Sequence, residues 1–231
     1  MSVGILVLAG GRATRLPGKL LLPVGGEPLL ARVVANLAGT RPTVIACAGS
    51  FPEALDRALA VPLIVDRWSL RGPLAGMITS MSQLRTRLVA AVAGDLPFVD
   101  ATLIDRLVAA VQPGDEAVVA EREIDNHLQR EPLAALYDRL AFLREAPSVL
   151  RTGNASVHAV LDRLRVRTLR IENPITLTNI NTPKEYNEAL TAVPQPGRMM
   201  GGGMLRSGTS DDERSSNVPP PIIRSEYRTH G

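Results

Sequence analysis

From Gly10 to Lys19 the chain reads Gly-Gly-Arg-Ala-Thr-Arg-Leu-Pro-Gly-Lys, two adjacent glycines followed by Arg12, Arg15 and Lys19. Glycine permits unusual φ angles and close backbone approach, so amide N–H groups can point at phosphate oxygens. The three basic side chains would supply positive charge where a polyphosphate needs it. Two common phosphate loops are excluded by residue type. The P-loop requires Gly at the position of Ala13 and Ser or Thr at that of Leu20. The dinucleotide fingerprint requires Gly where Arg12 stands. Gly10-Gly11 alone would fit an ordinary strand-to-helix turn. Arg15 and Lys19 at this spacing, followed by Leu20-Leu21-Leu22-Pro23-Val24-Gly25-Gly26-Glu27-Pro28, favour a phosphate-binding loop.

Two acidic residues extend this chemistry. Asp95 follows the apolar stretch 88–93 and Gly94. A carboxylate there suits Mg²⁺, a hard cation that takes oxygen ligands from one or two carboxylates and substrate phosphates. The alternative is a cap for a helix starting near Ala101, or a turn closed with Pro97. Asp66 ends the short run Leu63-Ile64-Val65; it could meet a ribose hydroxyl or a base edge, or simply end its strand. Arg71-Gly72-Pro73 could bring backbone amides to a ligand or start a helix. Asn179 and Asn181 place two amides on one side of an extended stretch, to hold phosphate or to shape the turn. His127, His158 and His230 are scattered without metal-ligand spacing. The single Cys47 excludes an intramolecular disulfide and lies in an apolar run that reads as buried.

The elements that must position these residues alternate in type. Strands are predicted over 3–9, 43–47, 63–65, 87–93, 117–120, 132–137 and 166–171. Helices are predicted over 28–37, 52–59, 74–84, 101–111, 157–164 and 182–190. Thr182, Pro183 and Glu185 form a capping-box pattern at the start of the last helix. Such alternation predicts an α/β fold, a doubly wound, mostly parallel sheet with helices on both faces. In that architecture ligands bind beyond the carboxyl ends of the strands. The 10–19 loop, Asp66 and Asp95 all fall on that edge. One domain is expected over 1–192. The stretch 193–231 holds six Gly and five Pro and loses all periodicity, so a disordered tail is expected there.

Composition limits the partners. With 45% apolar residues, a net charge of +3, no run of like charge and only seven aromatic side chains (three Phe, three Tyr, one Trp), a nucleic-acid role is not indicated. Ser2-Val3-Gly4 has no basic cluster, and the apolar residues after it are too few for a signal peptide. No apolar run approaches the roughly 20 residues of a membrane span. Cytoplasmic residence is the expectation.

The stretch from Leu8 to Leu30 resembles the signature of nucleotidyltransferases with a Rossmann-like fold. More narrowly, five motifs in order resemble the molybdenum cofactor guanylyltransferases. They are Leu8-Ala9-Gly10-Gly11, Gly72-Pro73-Leu74-Ala75-Gly76, Gly94-Asp95-Leu96-Pro97, Pro132-Leu133 with Ala135-Leu136-Tyr137, and Asn179-Ile180-Asn181-Thr182-Pro183. The resemblance implies transfer of GMP from GTP to molybdopterin carrying molybdenum (Mo-molybdopterin), with release of pyrophosphate. It implies that Leu8, Ala9, Gly10 and Gly11 meet the nucleotide, the first three through backbone contacts to guanine, and that Asp66 binds it. It also implies that Lys19, helped by Arg15, neutralises phosphate charge and that Asp95 holds Mg²⁺. Asn179 and Asn181 would face the acceptor. Molybdenum-insertion proteins and recipient molybdoenzymes would be its protein partners. Gly10, where related cytidylyltransferases usually have Ala, favours GTP. A sister enzyme using CTP or a sugar-1-phosphate, and a nucleotide-binding adaptor without catalysis, are the alternatives. The chain departs from the family pattern at Ala13, at Pro17-Gly18, at Cys47 (often Asn) and at Glu131 (commonly His).

Overall fold

The computed structural model describes residues 2–10, 15–37, 39, 41–48, 51, 55, 56, 59, 61–66 and 72–193. Strand β1, Val3–Leu8, is buried along its whole length. It lies between β4 (Thr43–Ala48) and β6 (Leu88–Ala93), parallel to both. β5 (Leu63–Asp66) extends the sheet beyond β4. On the other side follow β8 (His127–Asp138), β7 (Ala117–Ile124) and the edge strand β9 (Val166–Arg170), giving the order β5-β4-β1-β6-β8-β7-β9. Only β8 runs antiparallel to its neighbours in this sheet. The mostly parallel, doubly wound sheet is therefore present. A separate two-residue ribbon pairs β2 (Pro23–Val24) with β3 (Glu27–Pro28).

Side chains alternate across the strands and divide the core into two layers. Ile5 and Val7 of β1, Ala90 and Val92 of β6, and Leu136 of β8 face α1 (Leu29–Leu37) and α3 (Ala101–Ala109). Leu6, Val89, Ala91, Ala135 and Tyr137 face α2 (Gly72–Gln83), α4 (Arg139–Arg151) and α5 (Val157–Leu161). The small residues Ala90, Ala91 and Ala93 let helices approach both faces of the central strand. The last helix, α6 (Pro183–Ala192), starts with the capping box read from the sequence: Thr182 Oγ1 accepts from Glu185 N–H, and Glu185 Oε2 accepts from Thr182 N–H.

Three differences from the sequence reading have physical causes. Helix α4 was not expected, because Pro147 interrupts its pattern; Asp138 caps it by accepting from Leu140 N–H and Ala141 N–H. The strand expected over 132–137 is the second half of a longer one, turned back on β7 at Asp125-Asn126, both with positive φ. The helix expected over 157–164 is shorter, ending at Leu161. The helix expected over 52–59 and the tail over 193–231 lie largely outside the described residues.

One backbone contact locks the two strand ends that matter most. Gly94 N–H donates to Leu8 O at 2.9 Å. A Cβ on Gly94 would stand 3.0 Å from Leu8 O and 3.0 Å from Leu30 Cδ1. The carbonyl belongs to a central strand and cannot yield. Gly94→Ala is expected to cost about 1–3 kcal/mol of stability by overpacking, read as a lower urea midpoint; an unchanged midpoint would contradict this packing.

Candidate active site

The carboxyl edge of the sheet gathers residues from both ends of the chain. Gly18, at φ 68°, turns the chain into a 3-10 turn over Lys19–Leu21. Only a residue tolerant of the left-handed region fits there comfortably. Lys19 N–H donates to Leu16 O, which fixes the backbone from which the side chain projects. From the opposite side, Glu185 Oε2 accepts from Asn181 N–H at 2.8 Å, so the α6 cap also fixes Asn181. Ile180 N–H donates to Asp95 O at 3.0 Å and ties this segment to the end of β6. Tyr186 Oη donates to Pro23 O at 2.7 Å and ties α6 to the ribbon after Lys19.

Three predicted site residues meet as a result. Lys19 Nζ lies 2.5 Å from Asp95 Oδ2 and donates to Asn181 Oδ1 at 2.7 Å. The pair is mostly buried, with 15% and 13% of the Lys19 and Asp95 side chains exposed. Asp95 Oδ1 and Asn179 Oδ1 are buried and have no hydrogen-bond partner among the described residues. Asp95 is not a helix cap: Asp100 caps α3 by accepting from Leu103 N–H. An unpaired buried carboxylate oxygen is costly unless something else satisfies it. A divalent cation would do so, and the hard oxygen donor fits Mg²⁺. Among the described residues no group of three or more His, Cys, Asp or Glu could hold a metal.

The remaining predicted residues divide. Leu8 and Ala9 close β1, their backbone partly committed to the sheet: Leu8 O accepts from Gly94 N–H, and Ala9 N–H donates to Ala46 O. Gly10 is exposed just beyond. Arg15 is exposed on the loop, outside the Lys19 cluster. Asp66 ends β5 in register with Ala48; its side chain, with Gly11, Arg12 and Arg71, lies outside the described residues. Cys47 is buried as expected, and burial, with the Asp56 charge, raises its thiol pKa.

Glu131 is a site neighbour whose proximity the sequence reading missed. The β7–β8 register moves from Val119↔Ala135 to Ala120↔Glu131, so residues 132–134 form a bulge. Tyr137 Oη donates to Pro132 O at 2.8 Å and braces it. The signal available beforehand was Pro132, which cannot donate to a ladder and is tolerated inside a sheet only at an edge or bulge. Burial raises the Glu131 pKa, and the Asp95 charge adds to the rise; the Leu133 N–H and Arg122 oppose it. A raised carboxyl pKa means that the native state binds the proton more tightly than the unfolded chain. Its cost to stability is absent below the ordinary Glu pKa and complete above the raised one. Glu131→Gln is thus expected to stabilise the protein at neutral pH and leave it unchanged in acid. Thermal melts across pH check this, and equal shifts at all pH values would contradict it.

Comparison with known proteins places this arrangement. Residues 5–169 match the model of the MobA-like NTP transferase domain. The chain is 32% identical over 203 residues to the molybdenum cofactor guanylyltransferase of Sinorhizobium fredii, covering 80% of this chain and 88% of that protein. It is 27% identical over 187 residues to the molybdenum cofactor guanylyltransferase of Cupriavidus metallidurans, covering 79% and 91%. Its fold is similar to the crystal structure of molybdopterin-guanine dinucleotide biosynthesis protein A from Archaeoglobus fulgidus. The TM-score there is 0.67 at 24% identity, covering 82% of this chain and 97% of that one.

Proposed function

Since the chain belongs to the MobA-like NTP transferase family, we propose that it is a molybdenum cofactor guanylyltransferase, moving GMP from GTP to Mo-molybdopterin and releasing pyrophosphate. The observation that carries this reading is the meeting of Lys19, Asp95 and Asn181 at the carboxyl edge, beside the loop after β1. The reaction would take place in the cytoplasm, with Mg²⁺ as cofactor. Among the described residues no helix is long and apolar enough to cross a membrane.

The chemistry asks little covalent work of the protein. A terminal phosphate oxygen of the acceptor attacks the α-phosphorus, the α–β bridging bond breaks, and pyrophosphate leaves with its electron pair. The acceptor oxygen is anionic at neutral pH, so no general base is needed. Catalysis then reduces to positioning and neutralisation of charge. Lys19, with Arg15 from the same loop, would meet charge on the α-phosphate and the departing pyrophosphate. Asp95 would hold Mg²⁺ through its unpaired oxygen; that ion would supply charge neutralisation on the nucleotide phosphates. Gly10 and the ends of β1 and β5, the latter at Asp66, would border the nucleoside, with Gly11 contributing amides to the phosphates. Asn179, with its unpaired buried oxygen, and Asn181 would orient the acceptor. Molybdenum-insertion proteins and recipient molybdoenzymes would be its partners upstream and downstream.

The test is nucleotide competition. Purified protein, Mg²⁺ and Mo-molybdopterin are incubated with each NTP in turn, and pyrophosphate and dinucleotide are measured. GTP-specific release with a guanine dinucleotide is expected. Release with CTP alone would move the substrate to that of a sister enzyme. Nucleotide binding without release would make the protein an adaptor.

A further inference from the structure

The Lys19 ammonium stands on the same carboxylate that is proposed to hold Mg²⁺. Nζ contacts Asp95 Oδ2 at 2.5 Å and Asn181 Oδ1 at 2.7 Å, so two acceptors share one cation. A divalent ion on Asp95 would bring a second cation within a few ångströms of the first. At the reduced dielectric of a partly buried site, like charges at that distance repel strongly. Both cannot remain on one carboxylate at little cost. The Lys19 backbone is fixed by the 3-10 turn, but its stem has four rotatable carbon–carbon bonds, and 15% of the side chain is open to solvent. Movement of the ammonium alone therefore suffices.

We propose that Lys19 is an exchangeable counter-ion: it holds Asp95 while no nucleotide is bound and swings onto the nucleotide phosphates as the divalent cation takes the carboxylate. This rests on the metal assignment in the proposed function. A metal ion arriving alone must displace the ammonium and leaves it facing a dication. A metal–nucleotide complex brings both the ion for Asp95 and the anion that receives Lys19. The site thereby selects the metal–nucleotide complex over the free metal, and Lys19 positions charge in two states of the site rather than one.

The test is Mn²⁺ binding by electron paramagnetic resonance on the full-length protein, without nucleotide. Wild type, Lys19→Met and Lys19→Met/Asp95→Asn are compared, with circular dichroism confirming the fold of each. Met cannot act as a hard ligand, so a gain in affinity reports loss of the ammonium alone. Lys19→Met is expected to bind Mn²⁺ at least tenfold tighter than wild type, and Asp95→Asn is expected to abolish that gain. Equal affinity in wild type and Lys19→Met, lost in the double variant, would overturn the counter-ion role and leave the metal assignment standing. Mn²⁺ binding indifferent to Asp95 would overturn both.

Discussion

Asp95→Ala is expected to lower kcat/KM for nucleotidyl transfer by about 10³-fold or more while leaving the far-UV circular dichroism spectrum unchanged. The carboxylate sits beyond β6, a strand buried on both faces, and its backbone oxygen is held by Ile180 N–H. The substitution leaves those backbone bonds in place. It removes the carboxylate half of a mostly buried ion pair, and the flexible Lys19 stem can turn the freed ammonium to water, which holds the loss below the roughly 3–5 kcal/mol of a charge left buried. It also removes an unpaired buried oxygen, which offsets part of that loss. Stability and activity should therefore separate. Product formation at the wild-type rate would remove Asp95 from the chemistry.

Lys19→Ala is expected to cost about 10²-fold in kcat/KM, the scale of a lost electrostatic contact to developing charge. The loss should fall mainly on kcat if the contact tightens as pyrophosphate departs, and Lys19→Arg should not restore it. A guanidinium is larger and planar, and the place between Asp95 Oδ2 and Asn181 Oδ1 is occupied by a compact ammonium. A loss below threefold, measured in the same assay as Asp95→Ala, would argue that Lys19 serves the resting site only.

Much of the fold was legible because its central strands are short apolar runs ending in Gly or Asp, a pattern that buried parallel strands share. The α6 cap was legible for a different reason: a capping box is local, so Thr182, Pro183 and Glu185 suffice to announce it. The β7–β8 hairpin was less so. Its outer half, around Asp125 and Asn126, is polar and exposed and gives no period-two signal. Helix α4 was hidden by Pro147, and its stability comes from packing Phe142 and Val149 against the sheet. Tyr137 and Phe142 meet edge to face there, with ring centroids 5.1 Å apart.

The candidate cluster was legible in its residue types but not in its pairing. Residue types marked Lys19, Asp95 and Asn181 separately. That the Lys19 ammonium lies between the other two depends on the 3-10 turn at Gly18 and on the hydrogen bond from Ile180 to Asp95. Neither contact has a sequence signature. Glu131 shows the same limit, since the β6–β8 pairing that runs from Val92↔Ala134 toward Asp95 and Glu131 has no sign in the sequence, and the neighbouring three-residue bulge against β7 is announced by Pro132 alone. The Arg15 contribution was inferred from spacing, and its exposed position leaves it to act on a bound phosphate rather than to build the site.

The most direct measurement is transfer of label from GTP carrying ³²P at the α-phosphate, with a parallel reaction labelled at the γ-phosphate, using Mg²⁺ and Mo-molybdopterin. The α-label is expected in a guanine dinucleotide of the pterin and the γ-label in pyrophosphate, in equal amounts. An α-label that stays in unchanged GTP while the protein binds the nucleotide would contradict nucleotidyl transfer as the activity of this protein.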